Sequence, residues 1–220
     1  MRADLRPSPP VAARPADADA DADDGRVAER VIADTTAWLE KAVIGLNLCP
    51  FAKAVHLKRQ IRFVVSEADD ESALLDTLCT ELQRLADADP AEVETTLLIH
   101  PRVLGDFLDF NDFLDLADEA LDDLGLDGEL QVASFHPDYR FEGSAVDGIE
   151  NHTNRSPYPT LHLLREASIE AAAASLPDAA DIYLRNIETL RRLGPAGWQR
   201  LWTAAEEAPK SPGAGIEAGS

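Results

Sequence analysis

Cations are scarce in this chain: 220 residues carry 20 Lys and Arg against 41 Asp and Glu, a formal net charge of −21 and a pI near 4.4. A surface so negative repels phosphate backbones and anionic headgroups, which excludes sequence-independent nucleic-acid binding and electrostatic attachment to a membrane. Long apolar runs are missing too. No stretch approaches the roughly 18 residues of a membrane span, and the N-terminus has no signal-peptide core, so a cytoplasmic location is expected. Cysteine is nearly absent. Cys49 and Cys79 are too few for a disulfide framework and read as free thiols in a reducing compartment. Glycine-rich phosphate loops, Gly-x-Ser-x-Gly elbows and His-Glu-x-x-His pairs do not occur either.

What is present is enough apolar residue, 45%, for an ordinary folded domain. Residues 1–25, rich in Ala, Asp and Pro with no bulky apolar cluster, predict a disordered acidic tail, and residues 208–220 predict a second one. Residues 1–25 hold −3 and residues 207–220 hold −1, leaving −17 on residues 26–206; a single domain is expected over 26–207. Inside it, helix and strand patterns alternate. Val27 to Leu46 repeats at three- and four-residue steps, as do Leu74 to Leu85 and Phe107 to Leu124. Ile61–Val65, Thr95–Ile99 and Glu129–Phe135 read as strands. This order predicts an α/β fold: a small, mostly parallel sheet of about three core strands with helices packed on it. Three further helices are expected in the C-terminal third. One runs over Leu161–Ala174 with Ser156 as N-cap and Pro157 in its first turn, a second is capped by Asp178 and runs to Gly194, and a third opens at Pro195.

Two of the strands end alike, in Ile99-His100-Pro101 and Phe135-His136-Pro137. Parallel strands would bring both imidazoles to the carboxyl edge of the sheet, where α/β folds gather ligands. There they would serve as bases or metal ligands, or as edge histidines hydrogen-bonded to nearby backbone. The chain from His136 to Pro159 has no clear periodicity, which points to a functional loop. Asp138, Arg140, Asn154, Arg155 and Tyr158 lie in it, and Arg165 follows. No Lys or Arg occurs between Arg102 and Arg140, so these arginines stand against an acidic ground. They read as a clamp for an anionic small molecule or as structural ion pairs.

His162 and Glu166, four apart on the expected helix, would share a face, with the carboxylate orienting the ring. Cys49 follows a helix and has no Cys-x-x-Cys partner, which rules out a thioredoxin-type site. Lys53, His56, Lys58, Arg59 and Arg62 lie close downstream in sequence and would favour a thiolate, although a small buried hydrophobe is the alternative. Cys49, His100, His136 and His162 together form a donor set for zinc, iron or copper, at spacings of 51, 36 and 26 residues that match no compact motif. The Asp row at 106, 109, 112, 115 and 118 lacks the calcium-loop alternation and reads as a solvated helix flank.

Asn47–Ala52, Leu98–Pro101, Asn111–Leu114, Phe135–Phe141 and Asn154–Glu166 resemble stretches of a bacterial family catalogued as domain of unknown function 1415. The likeness spans about residues 30–205. It implies one domain and brings no activity, substrate or cofactor. The leading expectation is therefore an enzyme with a His/Cys site at the carboxyl edge of the sheet. Cys49, His100, His136, Asp138 and Tyr158 would be catalytic, Arg140, Asn154, Arg155, Arg165 and Glu166 would hold substrate, and a transition metal would sit on Cys49, His100, His136 and His162. The alternative is a non-catalytic binding protein that docks a ligand or partner through the 136–159 loop.

Overall fold

The computed structural model describes residues 15–174 and 182–203. The expectations for residues 1–14, for the Asp178 cap and for the 208–220 tail lie outside these. The described residues open with α1 (Pro15–Trp38), which begins upstream of the apolar repeat at Val27 and runs on into a π-helical segment, Leu39–Ile44. Then follow α2 (Ala52–Leu57), β1 (Ile61–Val65), α3 (Glu71–Asp87), β2 (Thr95–Ile99), α4 (Phe107–Asp123) and β3 (Leu130–Phe135). A short 3₁₀ turn (Ile149–Thr153) leads to β4 (Thr160–Arg165), α5 (Glu166–Ala174) and α6 (Ile182–Thr203). Among the described residues no helix is long and apolar enough to cross a membrane.

Local chemistry explains the boundaries. Asp70 caps α3 by accepting from the Ala73 N–H at 2.8 Å, and Asp106 caps α4 by accepting from Leu108 and Asp109. Beyond α4, Gly125 takes φ +67°, the left-handed conformation that commonly ends a helix. Gly194, at φ 64° and ψ 172°, breaks α6 just before Pro195, so the expected stop and restart are both found there.

The sheet departs from expectation. Among the described residues it has four strands in the order β1-β2-β4-β3, and it is mixed. β1 and β2 pair in parallel, whereas β4 is antiparallel to both β2 and β3. β1, β2 and β3 do share one direction, but the segment expected to begin a helix at Leu161 is instead the strand lying between β2 and β3. Helix propensity at Leu161-His162-Leu163-Leu164-Arg165 loses to pairing on both sides, which satisfies the backbone in the centre of the sheet. Ser156 and Pro157 consequently cap nothing. The Ser156 hydroxyl donates to the Tyr158 carbonyl at 2.6 Å within the approach to β4. His162 and Glu166 do not share a helical face either, because His162 is mid-strand and Glu166 opens α5.

Alternation along the strands divides the interior in two. Val64, Leu98, Leu130, Val132, Leu161 and Leu163 face α3 and α4 in the main core with Leu74, Leu78, Leu82, Phe110 and Phe113. Arg62 is on the same side and grips the buried Glu81 carboxylate of α3 with two hydrogen bonds, 2.7 and 3.1 Å. Ile61, Phe63, Leu97, Ile99 and Phe135 face the opposite way, toward α1 and the π-helical segment, where Val31, Trp38, Leu39, Ala42 and Val43 are buried.

Candidate functional site

The carboxyl edge gathers the first two histidines. His100 and His136 are both fully buried and both pack on Phe110, with ring centroids at 5.7 and 5.1 Å. Their nitrogens serve the backbone. Nδ1 of His136 accepts from the Asp138 N–H at 3.0 Å, so its proton is on Nε2, which donates to the Leu104 carbonyl at 3.2 Å. His100 Nδ1 donates to the Val103 carbonyl at 3.1 Å, while its Nε2 is buried with no partner. The two rings thus hold consecutive carbonyls of the turn before α4, at a point where Leu104 is held at φ +57°, uncommon for a side-chain-bearing residue. Burial keeps both rings neutral: it pushes the pKa of His100 down to about 4 and that of His136 below its usual value.

Two of the named groups of the 136–159 loop, Arg155 and Asn154, also turn to the backbone. Arg155 donates to the carbonyls of Tyr139 and Val146 at 3.1 and 2.8 Å. Asn154 Nδ2 donates to Ser134 at 3.1 Å. The Tyr158 hydroxyl donates to the Asp34 carboxylate of α1 at 2.8 Å. Arg165 gives Nη2 to the carbonyls of Leu85, Ala88 and Val93. Arg140 and Asp138 are exposed, and the Glu166 backbone N–H bonds to Glu129. The loop's organiser is a residue that sequence reasoning missed. Buried Asn151 accepts from the Phe141 N–H and the Ser144 hydroxyl through Oδ1 and donates to Ala145 through Nδ2. Only its buried setting marks it, and that setting is not visible in the sequence.

Cys49 and His162 are elsewhere. They line one cavity of about 540 Å³ on the opposite face of the sheet, roofed by Trp38, Leu39, the Cys49–Val55 segment and α5. Its floor is the outward row of the strands, including Leu97, Ala133, Phe135 and Leu164. The π-helical segment borders it through Leu39 and Val43; such irregular turns often occur at functional sites. His162 stands among these apolar groups as the partner of Leu97 on one side and Ala133 on the other. Its Nε2 is 2.8 Å from the Thr95 hydroxyl, which itself donates to the Leu163 carbonyl at 2.5 Å. Burial pushes the His162 pKa down to about 4, so the ring is neutral at physiological pH.

The four metal-donor residues are therefore divided, His100 and His136 at the carboxyl edge and Cys49 and His162 in the cavity. Among the described residues no group of three or more His, Cys, Asp or Glu side chains is placed to hold a metal ion. The sequence signal for the cavity is weak: its floor is one set of alternating strand residues, and an apolar set on each face is equally what a sheet covered on both sides carries.

Comparison with known proteins adds a family and nothing finer. A family described as "Protein of unknown function (DUF1415)" matches residues 30–200. No curated protein and no solved structure matches the chain.

Proposed function

On the premise that the chain belongs to the DUF1415 family, whose description assigns no activity, we propose that it binds a small, largely apolar molecule in the cavity beside Cys49 and His162. One observation carries this reading. About 540 Å³ of space lies against a sheet face whose side chains are mostly apolar, with a few polar groups among them, a volume and composition typical of small-molecule sites. A comparable apolar surface on the other face is filled by α3 and α4.

The carboxyl edge supports a site less well. Its two imidazoles are fully buried and three of their four nitrogens bond to backbone. The cavity, in turn, favours binding over proton-transfer chemistry. An imidazole that takes a proton only near pH 4 is a weak base, too far from neutrality to activate a thiol or a water efficiently. The test is isothermal titration of the full chain with 4-propylanisole, an apolar probe that fits such a volume. Saturable one-to-one binding is expected, and Ala133→Leu, which places extra carbon atoms on the cavity floor, should abolish it. Absence of saturable binding, or binding indifferent to Ala133→Leu, would overturn the reading.

A further inference from the structure

Building on that binding reading, we infer that the cavity selects neutral hydrogen-bond donors, in the chemical class of alkylated phenols and alcohols, and rejects carboxylates, because His162 presents a bare Nδ1 to the ligand. The argument begins at Leu163. Its carbonyl takes the Thr95 hydroxyl proton. A threonine has one such proton, so the contact between Thr95 Oγ1 and His162 Nε2 requires the imidazole proton to be on Nε2. Nδ1 is then an acceptor with no partner among the described residues. Pairing on both sides of β4 and the Phe135 ring, 6.1 Å from the imidazole centroid, hold the ring in place.

The remaining lining points the same way. Arg165 is the only Lys or Arg among the described residues that line the cavity; its Nη2 is committed to three carbonyls, and its Nε is buried without a partner. Glu94 adds a negative charge, while Gln131 and Ser168 are neutral. A carboxylate entering here would lose its hydration and meet a lone pair and a like charge. A hydroxyl would instead supply the proton that Nδ1 lacks. Burial favours the same neutral ring. An anionic substrate, the sequence expectation, finds only the Arg165 guanidinium as counter-charge, with Nη2 already held by three carbonyls and Glu94 of opposite sign in the same lining.

Three probes of one shape test this by isothermal titration at pH 7.5: 4-propylphenol, 4-propylanisole and 4-propylbenzoate. The phenol should bind about tenfold tighter than the anisole, the scale of one buried hydrogen bond, and the benzoate at least about tenfold weaker than the anisole. Thr95→Val frees the ring to adopt its other tautomer and should shrink the phenol preference to about two- to threefold; Thr95→Ser should restore it. His162→Leu should remove it. Equal affinity for phenol and anisole, or tightest binding of the benzoate, overturns the inference and leaves the cavity reading standing. A phenol preference that survives both His162→Leu and Thr95→Val overturns the assignment to Nδ1. Failure of the anisole to bind at all overturns the cavity reading instead.

Discussion

The two faces of the sheet solve the same problem differently. On the α3/α4 face, side chains interlock: Leu74, Leu78, Leu82, Leu98, Leu161 and Leu163 have no exposed surface, and the charged Glu81 is matched by Arg62 and Arg84. On the other face, α1 covers one end of the sheet, while α5 and the Cys49–Val55 segment stand off and leave the cavity. The histidines mirror this contrast. His136 has both nitrogens bonded, whereas His162 has one in use and one open to a visitor. The packed face stabilises the fold, and the open face has room to bind.

If that division is correct, mutation should separate stability from binding. Leu98→Ala on the packed face should cost about 3–4 kcal/mol, a transfer term plus a cavity that neighbours cannot close, measured by urea unfolding. Ala133→Leu, two strands away on the open face, should change stability by no more than about 1 kcal/mol, since the added atoms enter free space. Equal losses at both positions would break the comparison.

Acid should act on both faces. The folded-state pKa values of His100 and His162 are depressed to about 4, below the ordinary value of about 6.5 reached on unfolding. The unfolded chain therefore binds more protons in this window. The stability tied to each neutral ring is fully present above about pH 6.5 and is lost as pH falls toward 4. Between pH 7 and pH 5, each ring should account for a loss on the order of 2 kcal/mol. His100→Asn and His162→Leu should each remove about that much from the pH-dependent drop in urea unfolding. A drop unchanged in both variants would show that the rings titrate normally.

The thiols give a subtler contrast. Cys49 lines the cavity, while Cys79 is in α3 beside the packed core, its thiol pushed up by burial and by nearby Asp76. Saturating 4-propylphenol should slow N-ethylmaleimide labelling of Cys49 several-fold and leave Cys79 unchanged, as read by peptide mass mapping. Smallest of all, Tyr158→Phe removes one hydrogen bond to a half-exposed carboxylate and should cost about 0.5–1 kcal/mol in the same unfolding assay.

Much of this contrast was legible in the residues. β1 and β2 fall where their apolar runs put them, and β3 differs by one residue at its start. The repeated His-Pro endings correctly placed two imidazoles at one edge. Their role was not legible, because the groups they bond to, the Val103 and Leu104 carbonyls, belong to a turn whose shape only the fold defines. β4 was hidden for a different reason. Leu161, Leu163 and Arg165 alternate with His162 and Leu164 as a strand requires, yet Leu, Arg and the following Glu-Ala run also satisfy a helix, and only pairing with distant β2 and β3 decides. That misreading moved His162 onto a helix and so concealed the cavity it faces.

The position of β4 also constrains how the chain is made. Among the described residues it is the last strand in sequence, and it lies inside the sheet, hydrogen-bonded to β2 on one side and β3 on the other. While synthesis has delivered only the first 159 residues, β3 has no strand to pair with, and β2 has an open edge beside β1. A sheet completed from its middle must wait for its final strand. The nascent domain therefore exposes strand edges until residues 160–165 emerge, a window in which association with other chains competes with folding.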